Sequence, residues 1–268
     1  MERYFFLEHH NKSVYCVEYL PQDLEHIKTG VIICSPIRGE RIRTHRIFTS
    51  LARELQRMNH YVITCDYFGD GNSSGESNEL TLESIADDIK AMCSRMLEVV
   101  GVKKYYAVGY RMGASVLPLT LDQLKINKAI LIDPILEPVN FLTEALRANL
   151  TSQMMRYKKV IKNREVLIRE IQEGYTINTD GFLIGKEMWE SFEKNTPIYA
   201  NGKFKGDVII ISSENLKKRS DEIFKFSQGF KKARVDFVKK EVVLTSWKYY
   251  TQRPPIIFSK IFNEISNS

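Results

Sequence analysis

Apolar positions in this chain fall into two patterns. Short unbroken runs recur at Val31-Ile32-Ile33-Cys34, Tyr61-Val62-Ile63-Thr64-Cys65, Tyr105–Val108, Ala129–Ile132 and Val208–Ile211. Such runs suit strands buried on both faces of a sheet. Between them the period changes. Over 44–58, Ile47, Phe48, Leu51, Leu55 and Met58 fall on one side of a helix. A second amphipathic helix is predicted over 81–99, with Thr81 as its cap and Glu83 and Ser84 in its first turn. A third covers 111–122. Strands and helices alternating at this spacing predict a parallel sheet with crossover helices. Ahead of them, 3–8 and 13–20 form a predicted hairpin turning at Asn11-Lys12.

The alternation stops after Asp133. About seventy residues pass without a strand signal before Val208. Residues 141–173 are charged and mostly helical in pattern, Glu173-Gly174 ends them, and 183–194 makes a shorter helix. The expected organisation is an α/β core from 1–133 and 207–268, interrupted by a helical cap insertion, 134–206. It would lie over the carboxyl ends of the strands, where open α/β sheets bind ligands. Helices at 216–230 and 256–265 and short strands at 234–238 and 242–245 complete the core. Met154, Met155 and Tyr157 stand in the insertion among Lys and Arg. They fit a wall closing a pocket for an acyl chain or glycan, a dimer face, or a core-covering helix with solvated charges.

Composition narrows the class only slightly. Apolar residues are 43% and charged residues 27% of the 268, as in ordinary globular domains. The net charge of +6 is spread over 36–46, 156–169 and 231–240, with no aromatic-interleaved basic motif, so no nucleic-acid partner is expected. No run reaches eighteen apolar residues, and the N-terminal run is too short for a signal peptide, so no membrane span and a cytoplasmic location are expected. Cys16, Cys34, Cys65 and Cys93 lack metal-ligand spacing and read as buried thiols. Neither a metal nor a cofactor is expected.

The chemistry concentrates at Gly109-Tyr110-Arg111-Met112-Gly113. A strand running into Gly-x-x-x-Gly at a helix start is the frame of a nucleophile elbow, Gly-x-Ser-x-Gly, with arginine in place of serine. The five histidines are His9, His10, His26, His45 and His60, so none follows the elbow. A hydrolase triad of this type runs Ser, acid, His along the chain. Arginine stays protonated and is neither nucleophile nor general base, but its fork and a helix N-terminus both favour an anion. The plainer reading is that Arg111 opens a surface helix.

Other segments carry the same likeness. Val31-Ile-Ile-Cys-Ser-Pro-Ile-Arg-Gly-Glu40 follows one strand, and Asp66-Tyr-Phe-Gly-Asp-Gly-Asn-Ser-Ser-Gly75 follows the next. Together they resemble the α/β-hydrolase superfamily. Within it the chain is similar to the proteins known as exosortase A system-associated hydrolase 2, whose elbow reads Gly-Leu-Arg-Leu-Gly-Ala. Here it is Gly109-Tyr-Arg-Met-Gly-Ala114. The likeness extends to Asp133-Pro134, 141–147, Glu173–Ile177 and Ser246-Trp247. One departure is visible: Ile37–Arg43 is more basic than that group's usual acidic stretch.

The resemblance implies an α/β-hydrolase fold and places the site. The oxyanion-hole N–H groups would be those of Ile37 and Met112, with Arg38, Arg41 and Arg43 beside them as ligand contacts or solvated loop residues. Glu214 occupies the acid position and Ser246-Trp247 the histidine position. Arg111 is expected to have an anion or a carboxylate at hydrogen-bonding distance, with Glu214 the first candidate and Asp66 and Asp70 next, although these two aspartates are more simply loop-holding groups. His45 reads as a helix-start residue. Ser115 points away from the elbow tip. The leading expectation is a catalytically degenerate hydrolase binding an anionic or acylated ligand, or a partner protein, at the relic site. Its rivals are an esterase or acyltransferase of non-standard mechanism and an interaction protein docking through the cap. A homodimer is compatible with all three.

Overall fold

A computed structural model describes residues 1–99, 101–200, 202–213, 217–239 and 254–266 of the chain. Its main sheet has eight strands, β1 (Glu2–His9), β2 (Lys12–Tyr19), β3 (Gly30–Cys34), β4 (Tyr61–Cys65), β5 (Tyr105–Tyr110), β6 (Lys128–Ile132), β9 (Asp207–Ser212) and β10 (Ala233–Phe237). A separate hairpin pairs β7 (Ile177–Thr179) with β8 (Phe182–Ile184). The sheet order is β1-β2-β4-β3-β5-β6-β9-β10. The β1–β2 hairpin joins β4 antiparallel, and the other pairings are parallel. The hairpin turns at His10-Asn11, both with positive φ, one residue earlier than predicted.

The apolar runs behave as their composition demands. Side chains alternate across a strand, so an unbroken apolar run feeds two cores at once. Val31 and Ile33 of β3 face one core with Val108, Ile130 and Ile211, covered by α1 (Arg38–Arg57) and α8 (Pro255–Ser266). Ile32 and Cys34 face the other, covered by α2 (Leu82–Leu97) and α3 (Met112–Thr120). Thr81 caps α2 reciprocally with Ser84, as its sequence predicts. All four cysteines are buried and free.

Between β6 and β9 the chain forms α4 (Pro138–Tyr157), α5 (Arg164–Gln172), the β7–β8 hairpin and α6 (Lys186–Lys194). This corrects the reading of 141–173 as one helical pattern and of the segment as strand-free. Three-residue strands are too short to leave a periodic signal. Leu142, Leu146, Ile171, Met188, Trp189 and Phe192 of this segment belong to the same apolar cluster as α2 and α3. Leu82 N–H donates to Ser191 Oγ at 2.9 Å, and Leu183 N–H to Ser77 Oγ at 2.8 Å. The segment is thus seated on the start of α2 and the loop before it. Among the described residues no helix is long and apolar enough to cross a membrane. The first helix of the C-terminal part, α7 (Lys217–Ser227), falls within its predicted range, while the expected strand at 242–245 lies outside the described residues.

The sheet order also locates a crevice. From β3 the chain goes to β4 on one side, then crosses over to β5 on the other. Connections leaving in opposite directions open a gap beyond the carboxyl ends of β3 and β5. The segment after β3 and the elbow after β5 flank that gap.

Candidate ligand site

Arg111 sits at the elbow with φ 52° and ψ −115°, a backbone region that side chains other than glycine rarely adopt. Its neighbours explain how it is held. A Cβ on Gly113 would stand 2.2 Å from the Cys34 carbonyl oxygen, and one on Gly109 would stand 2.7 Å from Ala114 Cα. The helix therefore approaches β3 and β5 at glycine distance. Arg111 N–H donates to Ile132 O at 2.9 Å, and the Arg111 carbonyl accepts from Ser115 N–H at 3.0 Å and Ser115 Oγ at 2.9 Å. Ser115 is fully buried and also accepts from Ile135 N–H, so it points away from the elbow tip as expected.

The partner of Arg111 is a residue the sequence reading did not consider. Arg111 Nε donates to Glu40 Oε1 at 3.0 Å. Burial pulls the guanidinium pKa down. The Glu40 carboxylate, Tyr110 and Asp133 outweigh that, and the net direction is upward. Glu40 Oε2 is buried and has no hydrogen-bond partner among the described residues. Glu40 reaches this place because α1 begins at Arg38, six residues before the predicted start at 44. The stretch expected as a loop is therefore the first helical turn. Asp133, with φ 45° at the end of β6, accepts from Ser213 N–H at 2.7 Å and Ser213 Oγ at 2.5 Å.

Asp66 and Asp70 do not pair with Arg111. Arg41 lies 3.1 Å from Asp66 Oδ1 and 3.2 Å from Asp70 Oδ1. Asp66 Oδ2 also accepts from Asn72 N–H, and Asp70 Oδ2 from Arg38 N–H, each within 3.0 Å. These carboxylates hold the loop after β4 against the start of α1. Burial raises the Asp70 pKa despite Arg41 and the two N–H donors that oppose it. Arg41 is accordingly occupied, leaving Arg38 and Arg43 of the basic trio.

Arg38 is the most deeply placed cation of the site, 5% exposed and with φ 58°. Its guanidinium lies over the Phe182 ring at 5.1 Å and donates to Thr179 Oγ1. Among the described residues no carboxylate pairs with it. Burial lowers its pKa to about 10, with Asp70 and Asp180 opposing. These two contacts lie on the β7–β8 hairpin and a third, Met188 Sδ at 3.9 Å, on α6, so Arg38 joins α1 to the segment between β6 and β9.

These residues surround a cavity of about 550 Å³. Arg38, Glu40, Arg43 and Arg111 line one side. Ile135, Leu136, Phe141, Ala145, Ala148 and Phe182 supply apolar wall, and Glu137, Asn140, Glu144, Asp180 and Glu222 supply polar edge. Ile37 and Met112 are fully buried, at the cap of α1 and the first turn of α3, so anything they offer a ligand comes from the backbone. His45 lies in α1 and faces a different, smaller cavity of about 190 Å³. The other four histidines are elsewhere: His9 pairs with Asp88, His10 lies in the hairpin turn, His26 pairs with Asp23, and His60 bonds Thr29 at the opposite end of the sheet. Glu214, Ser246 and Trp247 lie outside the described residues. No group of three His, Cys, Asp or Glu side chains suited to a metal occurs among the described residues.

No protein-family model matches the chain, and no curated protein matches it in sequence. Solved structures do match in shape. The chain is similar to DcsB in complex with its substrate analogue, at 12% identity and TM-score 0.67, covering 100% of this chain and 99% of that one. It is similar to Est1E from Butyrivibrio proteoclasticus with ferulic acid bound, at 14% identity and TM-score 0.65, covering 96% and 99%. It is also similar to proline iminopeptidase from Mycobacterium smegmatis, at 12% identity and TM-score 0.60, covering 100% and 98%. With the mostly parallel eight-stranded sheet and its flanking helices, these likenesses give the chain the α/β-hydrolase fold.

Proposed function

We infer that this chain is a degenerate α/β-hydrolase that uses the cavity at its elbow to bind an anionic, acylated ligand rather than to run Ser-His-Asp chemistry. The carrying observation is Arg38. A guanidinium that deep, stacked on Phe182 and paired with no carboxylate among the described residues, is a preformed seat for a carboxylate or phosphate oxygen. Arg43 also lines the cavity, as does Arg111 with its charge met by Glu40, and Phe141, Ala145 and Ile135 offer apolar surface to an acyl chain. In this reading 134–206 acts as a cap, Ile37 and Met112 contribute N–H groups, and the arginine elbow supports kinship with exosortase A system-associated hydrolase 2 proteins. Calorimetric titration with dodecanoate tests it. Binding is expected for the parent chain and at least tenfold weaker for Arg38→Met. Undetectable binding of dodecanoate and of dodecyl phosphate would sink the reading.

A second reading has one specific support, the unbonded Oε2 of Glu40. Glu40 would take a proton from water, the water oxygen would attack an acyl carbonyl held by Arg111, and the leaving oxygen would depart with the proton. The two readings separate on turnover. Under the first, fluorophosphonate labels no serine, and Arg111→Ser gains less than about a hundredfold in ester cleavage, since a positioned base contributes on the order of 10²–10⁴. Under the second, the parent cleaves acyl esters and Glu40→Gln abolishes it.

A further inference from the structure

The far end of α4 has no part in the cavity, and its side chains are unusual. Met155 is 69% exposed, Ile161 56%, Met154 48% and Val160 43%, with Tyr157 beside them. Exposed aliphatic residues scattered singly need no explanation, but five within eight consecutive positions do. The same stretch is strongly basic. Residues 151–164 contain Arg156, Lys158, Lys159, Lys162 and Arg164 and no acid, a local charge of +5 in a chain whose net charge is +6.

The stretch is built rather than loose. α4 stops at Lys158, which takes a left-handed conformation and donates its N–H to Met154 O. Gln153 then ties the following loop back to the helix. Its Oε1 accepts from the N–H groups of Ile161 and Lys162, both at 2.8 Å, and its Nε2 donates to Lys162 O at 3.0 Å. Val160 and Ile161, both exposed, are thereby fixed beside the end of α4, where Tyr157 and Ile161 also border a cavity of about 380 Å³.

We propose that this tip docks the protein on an anionic lipid bilayer surface. An exposed stretch in which apolar side chains stand among Lys and Arg matches an acyl boundary beneath negatively charged headgroups. A second copy of the chain fits poorly, because a two-fold contact would set Arg156, Lys158, Lys159 and Arg164 against their own copies, Lys162 being paired with Glu170 at 2.6 Å. A nucleic acid fits poorly as well, since the stretch offers aliphatic side chains and one tyrosine where base stacking needs an aromatic platform. The consequence is positional. Ala148 lines the cavity and Met155 lies seven residues further along the same helix, about 10 Å away. Docking would bring the cavity wall close to the headgroups. The proposal does not depend on what the cavity binds.

Co-sedimentation of the full chain with vesicles tests it. Vesicles of phosphatidylcholine with 30% phosphatidylserine are expected to retain the protein at low salt, and pure phosphatidylcholine vesicles to retain little. The triple variant Met155→Ser, Val160→Ser, Ile161→Ser should lose at least tenfold in partitioning. Lys158→Glu with Lys159→Glu should lose at least as much, since each basic residue near such a surface contributes several-fold. All five side chains are exposed, so melting temperatures should not move. As a readout independent of deletion, Tyr157→Trp should be quenched by brominated lipid beyond the parent's own tryptophans. Absence of binding to the anionic vesicles, binding unchanged by both variants, or tighter binding of a single-stranded RNA by the same residues would overturn the proposal.

Discussion

The two ends of the main sheet each set a glutamate against arginine, and they do it differently. Near the amino ends of the parallel strands, Glu18 of β2 is fully buried and both of its oxygens are taken. Arg95 Nε donates to Oε1 at 2.8 Å, Tyr61 OH donates to the same oxygen at 2.7 Å, and Arg3 closes on Oε2. At the carboxyl ends, Glu40 meets one side-chain donor among the described residues, Arg111, and its second oxygen has no hydrogen-bond partner among them. A buried polar cluster with every valence filled is a structural device, because nothing in it is left to recognise a ligand. One with an open valence facing a cavity holds binding capacity in reserve. The same residue pair thus serves opposite ends, and the difference lies in what else reaches the carboxylate.

The sharpest way to break this contrast is at the filled cluster. Removing one partner of a buried ion pair costs about 3–5 kcal/mol, because the remaining groups lose their compensation. Arg3 and Arg95 are partly exposed and can regain water, but the Tyr61 hydroxyl cannot. Glu18→Ala is therefore expected to lose about 3 kcal/mol in urea unfolding, and Glu40→Ala clearly less. Equal losses would remove the distinction between the two ends.

Acid should act on the same sealed end. His60, just before β4, is 1% exposed, bonds Thr29 through Nδ1, and has no partner for Nε2 among the described residues. Burial, then Lys28, lowers its pKa to about 4 from 6.5. The unfolded chain accordingly binds the proton first as pH falls. The stabilisation is complete above about pH 6.5 and disappears progressively down to about pH 4, a loss of roughly 3 kcal/mol. His60→Gln should flatten the stability slope over that window. An unchanged slope would place the acid sensitivity elsewhere.

What the sequence made legible follows the same division. The strands were readable because a buried strand writes itself as an unbroken apolar run, and Gly109 and Gly113 marked the elbow because only glycine fits beside Cys34 and Ala114. An anion or a carboxylate is expected at Arg111, and Glu40 supplies a carboxylate where Asp66 and Asp70 do not, Glu214 lying outside the described residues. The helical period of α1 is plain from Ile47 onward and gives out among Arg41, Arg43 and Thr44, so Glu40 reads as a loop residue. An earlier helix start would have set Glu40 in the first turn, where acids favour the helix dipole. Arg38 gave no sign of burial, since its stacking partner Phe182 and its acceptor Thr179 are over 140 positions away and belong to strands too short to see. Tertiary partners of this kind leave no local pattern.

The smallest effect tests the open end itself. Arg111 combines an unfavourable backbone with a single, partly exposed ion pair, its side chain 29% exposed. Residues other than glycine in such a conformation cost about 1–3 kcal/mol, and a pair this accessible to water contributes about 1 kcal/mol or less. Arg111→Met keeps the backbone cost and gives up the pair, so it should fall slightly below the parent in stability. Arg111→Gly gives up the pair and the backbone cost together. It also gains unfolded-state freedom worth about 0.4–1 kcal/mol, which offsets part of the relief. Glycine should still exceed methionine by about 1 kcal/mol, read as a shift of the urea midpoint at constant slope. If the two variants unfold together, or methionine is the more stable, the elbow is not strained and Arg111 has no special claim on its position. If glycine wins, the arginine is retained against a stability cost, and the gain must come from holding a guanidinium at the cavity. Nothing comparable applies to Glu18, which lies within a regular strand register opposite Ile63.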